Sequence, residues 1–232
     1  MKSATVRIHF LYPSDALQDG SDCLSAEELQ RAAAFKFPHD AQRWKSFRKG
    51  IRTVLGGLLE IPPSEVPIHI DPHGKPQLAA PFDSLHFNLS HCEDLALLAV
   101  CGDGPVGIDV EAIHRAPDLL ECEGTFCHPS EIARLPQEPQ CRARQLLELW
   151  CAKEALLKAI GTGLSQAPDE LSVHLHEGIF IHDADSALDG VSQHRTLLLQ
   201  HELLENHLAV LSAPVSVTQV EFALPLLSTP PV

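Results

Sequence analysis

The 232-residue sequence lacks long apolar runs, and none approaches the roughly 20 residues that a helix needs to cross a bilayer. Its first residues, MKSATVRIHFLYPSD, also lack the apolar centre and cleavage site of a secretory signal. Positive charge is scarce, because 17 Lys and Arg stand against 31 Asp and Glu, which gives a net charge of −14. A general nucleic-acid binder needs a basic surface. We therefore expect a cytoplasmic protein that binds neither membranes nor nucleic acid.

Cysteine patterns typical of disulfide frameworks are also missing. The seven cysteines are odd in number and include no CxxC pair, which favours reduced thiols. Cys151 follows Trp150 in a helical stretch, and we interpret it as a small core residue rather than a nucleophile. The histidines that crowd the C-terminal third show no convincing metal-ligand spacing, so we assign them to surface and loop positions.

What the sequence does contain is typical of a globular fold, with 44% hydrophobic and 21% charged residues. Near the N-terminus, Val6, Ile8 and Phe10 alternate with polar residues, which predicts a strand with these three on one face. Two later stretches, residues 42–70 and 145–175, have the same order of features. Each predicts a helix ended by glycine, then a proline-marked loop and a strand.

This repeated order predicts an α+β fold with two similar halves related by pseudo-twofold symmetry. We expect the first helix to stop at Gly56 and Gly57 and the second at Gly161. A cleft between the halves is the natural ligand site. The expected N-terminal half, C-terminal half and loosely ordered tail comprise residues 1–104, 105–224 and 225–232.

The charge is uneven along the chain. Residues 24–52 carry seven basic side chains and three acidic ones, a local charge of +4 in an acidic protein. A local basic patch suits a small polyanion better than a long one. A solvated amphipathic helix explains the same composition, and both interpretations stay open.

The segment PVGIDVEAI predicts a strand with its apolar side chains on one face. Asp109 and Glu111 then lie side by side on the opposite face, where they repel by about 1 kcal/mol if screened. A hard cation such as Mg²⁺ would remove this repulsion. The alternative is a half-exposed strand with two solvated acids.

In the helix QLLELWCAKEALLKAIG, Glu154 and Lys158 are four residues apart and share a face. Glu154 could supply a third oxygen ligand and Lys158 could meet a phosphate, although a surface ion pair is the simpler interpretation. Ser90 and His91 at a strand end, and Lys75 in a GKP turn, could also contact phosphate oxygens.

Six features follow one another between about Leu24 and Val173: a basic helix, GKP, FNLSH, VGIDVE, FCHPSE and LWCAKEALLK. Together they resemble the 4′-phosphopantetheinyl transferases, in the larger two-half subgroup that includes the surfactin-synthetase activator. The resemblance implies a monomeric enzyme that moves the phosphopantetheine arm of coenzyme A (CoA) onto a serine of an apo acyl or peptidyl carrier protein. The other product would be 3′,5′-ADP.

The resemblance also implies roles for individual residues. Glu154 is the preferred base, with Glu111 or a metal-bound water as alternatives. Glu28 stands where the family can carry a lysine, so recognition of the 3′-phosphate would be weaker or would be supplied by Lys36. The implied Mg²⁺ (or Mn²⁺) ligands are Asp109, Glu111 and Glu154; the implied phosphate contacts are Ser90, His91 and Lys158; the implied contacts to the nucleotide end are Arg31, Arg43, Arg48 and Lys75.

The carrier is acidic in most such systems, and a chain of charge −14 gains no global attraction to it. We therefore expect an apolar carrier contact from residues 125–128 and from residues after Ile160, flanked by Arg142 and Arg144. Fatty-acid, polyketide and nonribosomal-peptide carriers all remain open. A metal-dependent nuclease is disfavoured by the acidic charge, and an inactive carrier-binding module is disfavoured because every expected site residue is present.

Overall fold

The computed structural model describes residues 4–13, 23–161, 167–182 and 190–223. The tail predicted for residues 225–232 lies outside these ranges. Within them, no helix combines the length and the apolar character that a membrane crossing requires. All seven cysteines are free thiols.

Within the described residues, the first half contains two α-helices and five strands. They are β1 (Ala4–Leu11), α1 (Ala26–Ala33), α2 (Pro38–Leu59), β2 (Ile68–Ile70), β3 (Pro76–Leu78), β4 (His86–Cys92) and β5 (Leu95–Cys101). In the first sheet β5 pairs antiparallel with both β1 and β4, while β2 and β3 form a separate hairpin.

The second half begins with β6 (Gly107–Ala112), followed by a 3₁₀ segment over Ile113–Glu121. The other α-helices and strands in the described residues of this half are α3 (Glu123–Phe126), α4 (Pro129–Ile132), α5 (Pro139–Ile160), β7 (Val173–His176), β8 (Ile179–His182), β9 (His194–Leu199), β10 (His207–Pro214) and β11 (Val217–Ala223). The second sheet has the order β6-β10-β9-β8-β7.

The two halves repeat one topology. In each, the first strand is followed by a 22-residue helix and pairs antiparallel with a strand from the end of the half, so that β1-β5-β4 corresponds to β6-β10-β9. The predicted α+β fold with two related halves is therefore confirmed. The last strand, β11, pairs in parallel with β1 and so joins the sheet of the first half. The division at residues 104 and 105 stays a prediction.

Three apolar clusters fill the spaces between the two sheets and between each sheet and its long helix. The central cluster packs the two sheets together and contains Val6, Ile8 and Phe10, which confirms their predicted common face. On the outer side of the first sheet, α2 contributes Phe47 and Ile51 to a second cluster. On the outer side of the second sheet, α5 is buried along most of its length.

The long helices end differently from each other. The helix α5 ends at Ile160 with Gly161 at a φ of 83°, as predicted. The predicted stop of α2 at Gly56 and Gly57 is wrong, because α2 continues to Leu59. A Cβ at position 56 would lie 2.8 Å from the carbonyl oxygen of Ile61. Glycine is therefore needed at position 56 because the following chain passes close to it, and it does not mark the end of the helix.

Candidate active site

The candidate site lies at the seam between the halves, formed by β4 and β6. The side-chain oxygen of Asn88 on β4 accepts a hydrogen bond from the backbone N–H of Ile108 on β6, at 2.8 Å. Two residues further along β4 and one residue further along β6, the Ser90 hydroxyl donates to Asp109 Oδ1 at 2.9 Å. Because all four groups are buried, these contacts hold β6 in one position against β4.

The helix α5 approaches the seam from the other side. A Cβ at Gly107 would overlap the carbonyl oxygen of Ala155 and lie 2.5 Å from the backbone nitrogen of Ala159. Backbone atoms of the helix therefore occupy the space that any other side chain would need. Glycine at position 107 is what allows β6 to lie directly on α5.

This contact brings Lys158 of α5 to Asp109. The Lys158 ammonium donates to Asp109 Oδ1 at 2.6 Å and also lies 3.4 Å from the Ser90 hydroxyl. The carboxylate of Glu154, one turn earlier, is 3.9 Å from the same ammonium. Burial alone would lower the pKa of Lys158, but the charges of Asp109 and Glu154 raise it above the usual value.

The three predicted metal-ligand acids influence one another. Asp109 is only 3% exposed, and its second oxygen, Oδ2, is buried and has no hydrogen-bond partner in the described part of the chain. Burial raises the pKa of Glu111, and the charge of Asp109 raises it further. Burial also raises the pKa of Glu154. The charge of Lys158 opposes this rise, and the charge of Asp109 adds to it. Negative charge is thus concentrated at this point of the seam.

The acids fit a hard cation chemically. They offer only oxygen donors, and Asp109 Oδ2 is a buried carboxylate oxygen without a partner, which is costly unless a positive group approaches it. Among the described residues, however, no group of three or more His, Cys, Asp or Glu side chains is spaced to hold a metal ion. Lys158 is the cation that contacts Asp109 in this structure. The metal site therefore stays a prediction.

Cys151 lies beneath this cluster and is fully buried, as predicted for a core residue. Burial raises the pKa of its thiol well above the usual value, and the neighbouring Asp109 carboxylate adds to the effect. A thiol that stays protonated is a poor nucleophile, so the site does not use it.

His91 and Arg43 extend the seam toward α2. The His91 ring stacks on Phe47 with their centroids 5.4 Å apart. Partial burial lowers the pKa of His91, and the positive charges of Arg43 and Lys158 lower it further. The positive charges of Arg43 and Lys158 therefore both act on the His91 ring, and we call the surroundings of these three side chains the basic space. Arg43 also contacts Asp40 at 3.0 Å.

Two arginines of α2 are held by Glu28 of α1. Its buried carboxylate lies 2.9 Å from Arg48 and 2.7 Å from Arg52. Arg48 also lies over the Trp44 ring, at 5.5 Å. Burial lowers the pKa of Arg48, and the nearby charge of Arg31 contributes to the lowering. The charge of Arg31 thus acts on Arg48, and the shared role of the two arginines stays a prediction.

Lys75 does not point to this basic space. Its ammonium donates to the carbonyl oxygens of Lys158, Val106 and Ala159, at 2.5, 3.3 and 3.3 Å. Two of these belong to the last turn of α5, where the helix dipole favours a cation. Burial lowers the pKa of Lys75 to about 8, although Asp71 opposes this. Lys75 thus ties the first half to the second, and its contact with the nucleotide stays a prediction.

Comparison with known proteins identifies the family. Residues 105–206 match the model of the 4′-phosphopantetheinyl transferase superfamily, and residues 13–102 match the model of the 4′-phosphopantetheinyl transferase N-terminal region. The chain belongs to the 4′-phosphopantetheinyl transferase superfamily. The family predicted from the six motifs is therefore confirmed, and the protein is a transferase.

Three relatives show the extent of the similarity. The 4′-phosphopantetheinyl transferase HetI of Nostoc sp. strain PCC 7120 is 36% identical over 172 residues, which cover 73% of this chain and 72% of HetI. A 4′-phosphopantetheinyl transferase of Bacillus subtilis is 29% identical over 178 residues, or 74% of this chain and 78% of that protein. The transferase Sfp of Bacillus subtilis strain 168 is 29% identical over 167 residues, or 66% and 73%. These matches place the chain in the larger, Sfp-like subgroup.

The expected apolar contribution of Phe126 and Cys127 to the carrier contact is wrong, while the flanking roles of Arg142 and Arg144 stay predictions. Phe126 and Cys127 are buried and cannot offer an apolar surface. Arg142 forms an ion pair with Glu123 at 2.8 Å, and Arg144 forms one with Glu148 at 3.0 Å. Residues 162–166, just after Ile160, lie outside the described ranges.

Two functional side chains of the transferase were missed in the sequence. Asn88 lies within FNLSH, but its bond to Ile108 joins strands of different halves, and no local pattern indicates such a partner. Glu28 was interpreted only as a missing lysine, whereas the structure shows it as the shared acceptor of two arginines. The capping box of α1, in which Glu28 bonds the Ser25 backbone, was the available signal.

We predict that Glu28→Gln destabilises the transferase by about 3–5 kcal/mol, because removing one partner of a buried ion pair leaves buried charge uncompensated. Urea unfolding measures this free energy. The neighbouring Glu27→Gln is a matched control, since the carboxylate of Glu27 is exposed. Its local hydrogen bonds lower its pKa, so we expect a loss of stability, but one much smaller than that of Glu28→Gln. Equal stability of the two variants would contradict the role of Glu28.

Proposed function

We propose that this transferase moves the 4′-phosphopantetheine arm of CoA onto a serine of an apo acyl or peptidyl carrier protein and releases 3′,5′-ADP. The observation that carries the proposal is the position of Asp109. It is buried at the seam between the halves, contacts Ser90 and Lys158, and keeps one oxygen without a partner. A phosphoryl-transfer centre needs this combination of acids and cations at one point.

The basic residues of α1 and α2 support a CoA-sized polyanion as the substrate. The charges of Arg43 and Lys158 both act on His91, and Lys158 contacts Asp109. The charge of Arg31 acts on Arg48, and these two arginines would meet the nucleotide end. Lys36 is exposed, with its ammonium 5.2 Å from the centre of the Phe37 ring, and is available for the 3′-phosphate.

Asp109, Glu111 and Glu154 would hold Mg²⁺, or Mn²⁺ in its place. When bound, such an ion polarises the phosphoryl group under attack. The donor set and the unpartnered Asp109 Oδ2 support this assignment. Lys158 would then be released from Asp109 and could turn to a phosphate oxygen of CoA.

In the transfer step, the carrier serine oxygen forms a bond to the β-phosphorus, and the bond from that phosphorus to the bridging oxygen breaks. The bridging oxygen leaves with 3′,5′-ADP. Glu154 accepts the serine proton, with Glu111 or a water molecule as the alternative acceptor. His91 and Lys158 neutralise the charge that grows on the departing phosphate.

The same proposal includes a cytoplasmic monomer. One chain supplies both halves of the seam, so that no second copy is needed to complete the site. The seven free thiols suit a reducing compartment.

The decisive experiment incubates the protein with CoA, Mg²⁺ and each member of a panel of apo carriers, and then measures the mass of each carrier. We expect one or more carriers to gain a single phosphopantetheine arm. If fatty-acid, polyketide and nonribosomal-peptide carriers all keep their mass, the proposed function is wrong.

We predict that Glu154→Gln lowers the rate of transfer at least about 100-fold, the loss typical of removing a general base. CoA binding, measured by calorimetry, should persist. Glu148→Gln on the same helix is the control, and we expect it to transfer at the wild-type rate because Glu148 contacts only Arg144 there. Full activity of Glu154→Gln would remove Glu154 from the roles of base and metal ligand.

A further inference from the structure

A second ionic cluster lies on α5, next to the site but separate from it. Lys153 is 0% exposed, and its ammonium has three acceptors. It donates to Glu131 Oε2 at 2.7 Å, to the carbonyl oxygen of Phe126 at 2.7 Å and to that of Pro168 at 3.0 Å. All three hydrogens of the ammonium are therefore used.

Glu131 is equally well satisfied. It is 2% exposed, and Oε2 accepts from the backbone N–H of His128 at 2.8 Å as well as from Lys153. Its other oxygen accepts from the backbone N–H of Val173, at the start of β7, at 2.7 Å. The pair thus joins α5 to three other segments, which contain Phe126–Glu131, Pro168 and Val173.

Stability alone does not explain such a pair. Burying two charges costs about as much as their attraction returns, and apolar residues of similar volume often replace a buried ion pair without loss. Apolar residues do not replace the directional hydrogen bonds of the pair. A fully satisfied buried hydrogen-bond network makes the elements that it joins rigid and fixes their orientation. The pair therefore restricts how α5 can rotate against its neighbours.

The position of Lys153 makes that restriction relevant to the site. Consecutive residues project about 100° apart around a helix, so that fixing Lys153 also fixes the direction of Glu154. Lys158 is one turn beyond Glu154 and projects to nearly the same side. A rotation of about 20° would move side-chain tips about 5 Å from the axis by about 2 Å. That displacement would break the 2.6 Å contact between Lys158 and Asp109.

We propose that Lys153 and Glu131 are positioning residues, which fix the rotation of α5 and so place Glu154 and Lys158 against Asp109. This inference rests on the proposed function. It assigns a role in the reaction to two buried charged residues that touch neither substrate nor metal ligand.

The test replaces both charges at once, with Lys153→Met and Glu131→Leu in one variant, so that no buried charge is left unpaired. The control is the double variant Arg7→Met and Glu221→Leu, which removes an exposed ion pair between β1 and β11. Thermal unfolding shows whether each variant is folded. Calorimetry gives the dissociation constant for Mg²⁺, and carrier mass gives the transfer rate.

We expect the folded Lys153→Met, Glu131→Leu variant to bind Mg²⁺ and to transfer about 10-fold to 100-fold less well than wild type, as is typical when residues behind metal ligands are lost. The control variant should match wild type in both measurements. A folded double variant with the wild-type Mg²⁺ dissociation constant would overturn the proposal.

If the double variant does not fold, the isosteric Glu131→Gln takes its place. Its amide keeps one acceptor oxygen, so we expect a weaker effect in the same direction, and an unchanged Mg²⁺ dissociation constant would overturn the proposal equally. A wild-type protein that modifies no carrier would instead refute the proposed function, since that result does not depend on Lys153 or Glu131.

Discussion

Gly107→Ala is expected to abolish transfer and to lower stability by several kcal/mol. The new methyl group would overlap backbone atoms of Ala155 and Ala159, which cannot move aside as a flexible side chain can. Overpacking of this kind costs about 1–3 kcal/mol or more, and it separates β6 from α5. Asp109 would then leave Glu154 and Lys158, so that activity fails even in the fraction of protein that is folded.

Gly57→Ala is the matched control for this substitution. Gly57 lies in the interior of α2, and no atom lies within 4 Å of the position that its Cβ would take. Alanine at an open helical position stabilises by about 0.5–1 kcal/mol relative to glycine. Urea unfolding and carrier mass should therefore show higher stability and unchanged transfer. If Gly107→Ala behaved like Gly57→Ala, the close contact between β6 and α5 would be refuted.

Asp109→Asn is expected to lower the rate of transfer by about a thousandfold, an effect smaller only than that of Gly107→Ala. The amide keeps the shape of the side chain but removes the charge that holds Lys158 at 2.6 Å. It would also weaken the proposed site for Mg²⁺. A thousandfold fall in rate corresponds to the loss of several kcal/mol of transition-state stabilisation, at tenfold for each 1.36 kcal/mol. The rate of mass gain of the carrier measures the effect.

Asp118→Asn controls for the loss of a carboxylate in the same half. Its side chain is 68% exposed and contacts only Arg115, at 3.6 Å. We expect wild-type transfer and a wild-type thermal shift on adding Mg²⁺, whereas Asp109→Asn should lose that shift. Transfer by Asp109→Asn within tenfold of wild type would show that Asp109 is not at the reaction centre.

The residues that the second half of the chain contributes to the site could mostly be predicted from local patterns. Strand alternation placed Asp109 and Glu111 opposite Val106, Ile108 and Val110, and the three apolar residues are indeed fully buried. Helical spacing placed Glu154 and Lys158 on one face, and their charged groups are 3.9 Å apart. These relations depend only on residues a few positions apart, which is why the sequence carries them.

Local patterns were insufficient where a partner is distant in sequence. The contact of Lys75 with the nucleotide stays a prediction, but the carbonyl oxygens that its ammonium contacts, 31 to 84 positions away, could not be predicted from the sequence. Gly56 was interpreted as the end of a helix, but it accommodates the returning chain at Ile61. In both cases the residue type indicated a special role, but the sequence did not indicate the partner. The partner depends on how whole elements pack.

The family, the two related α+β halves and the faces on which the acids and bases lie could all be predicted from the amino-acid sequence. Periodicity and motif order depend on residues that are close in the chain, so these predictions needed no knowledge of packing. The burial of Asp109 against Lys158 and Ser90, and the pairing of Lys153 with Glu131, became evident in the folded structure. Burial and long-range partners follow from the contact of β6 with β4 and α5, and such contacts arise from the complete fold rather than from any one segment.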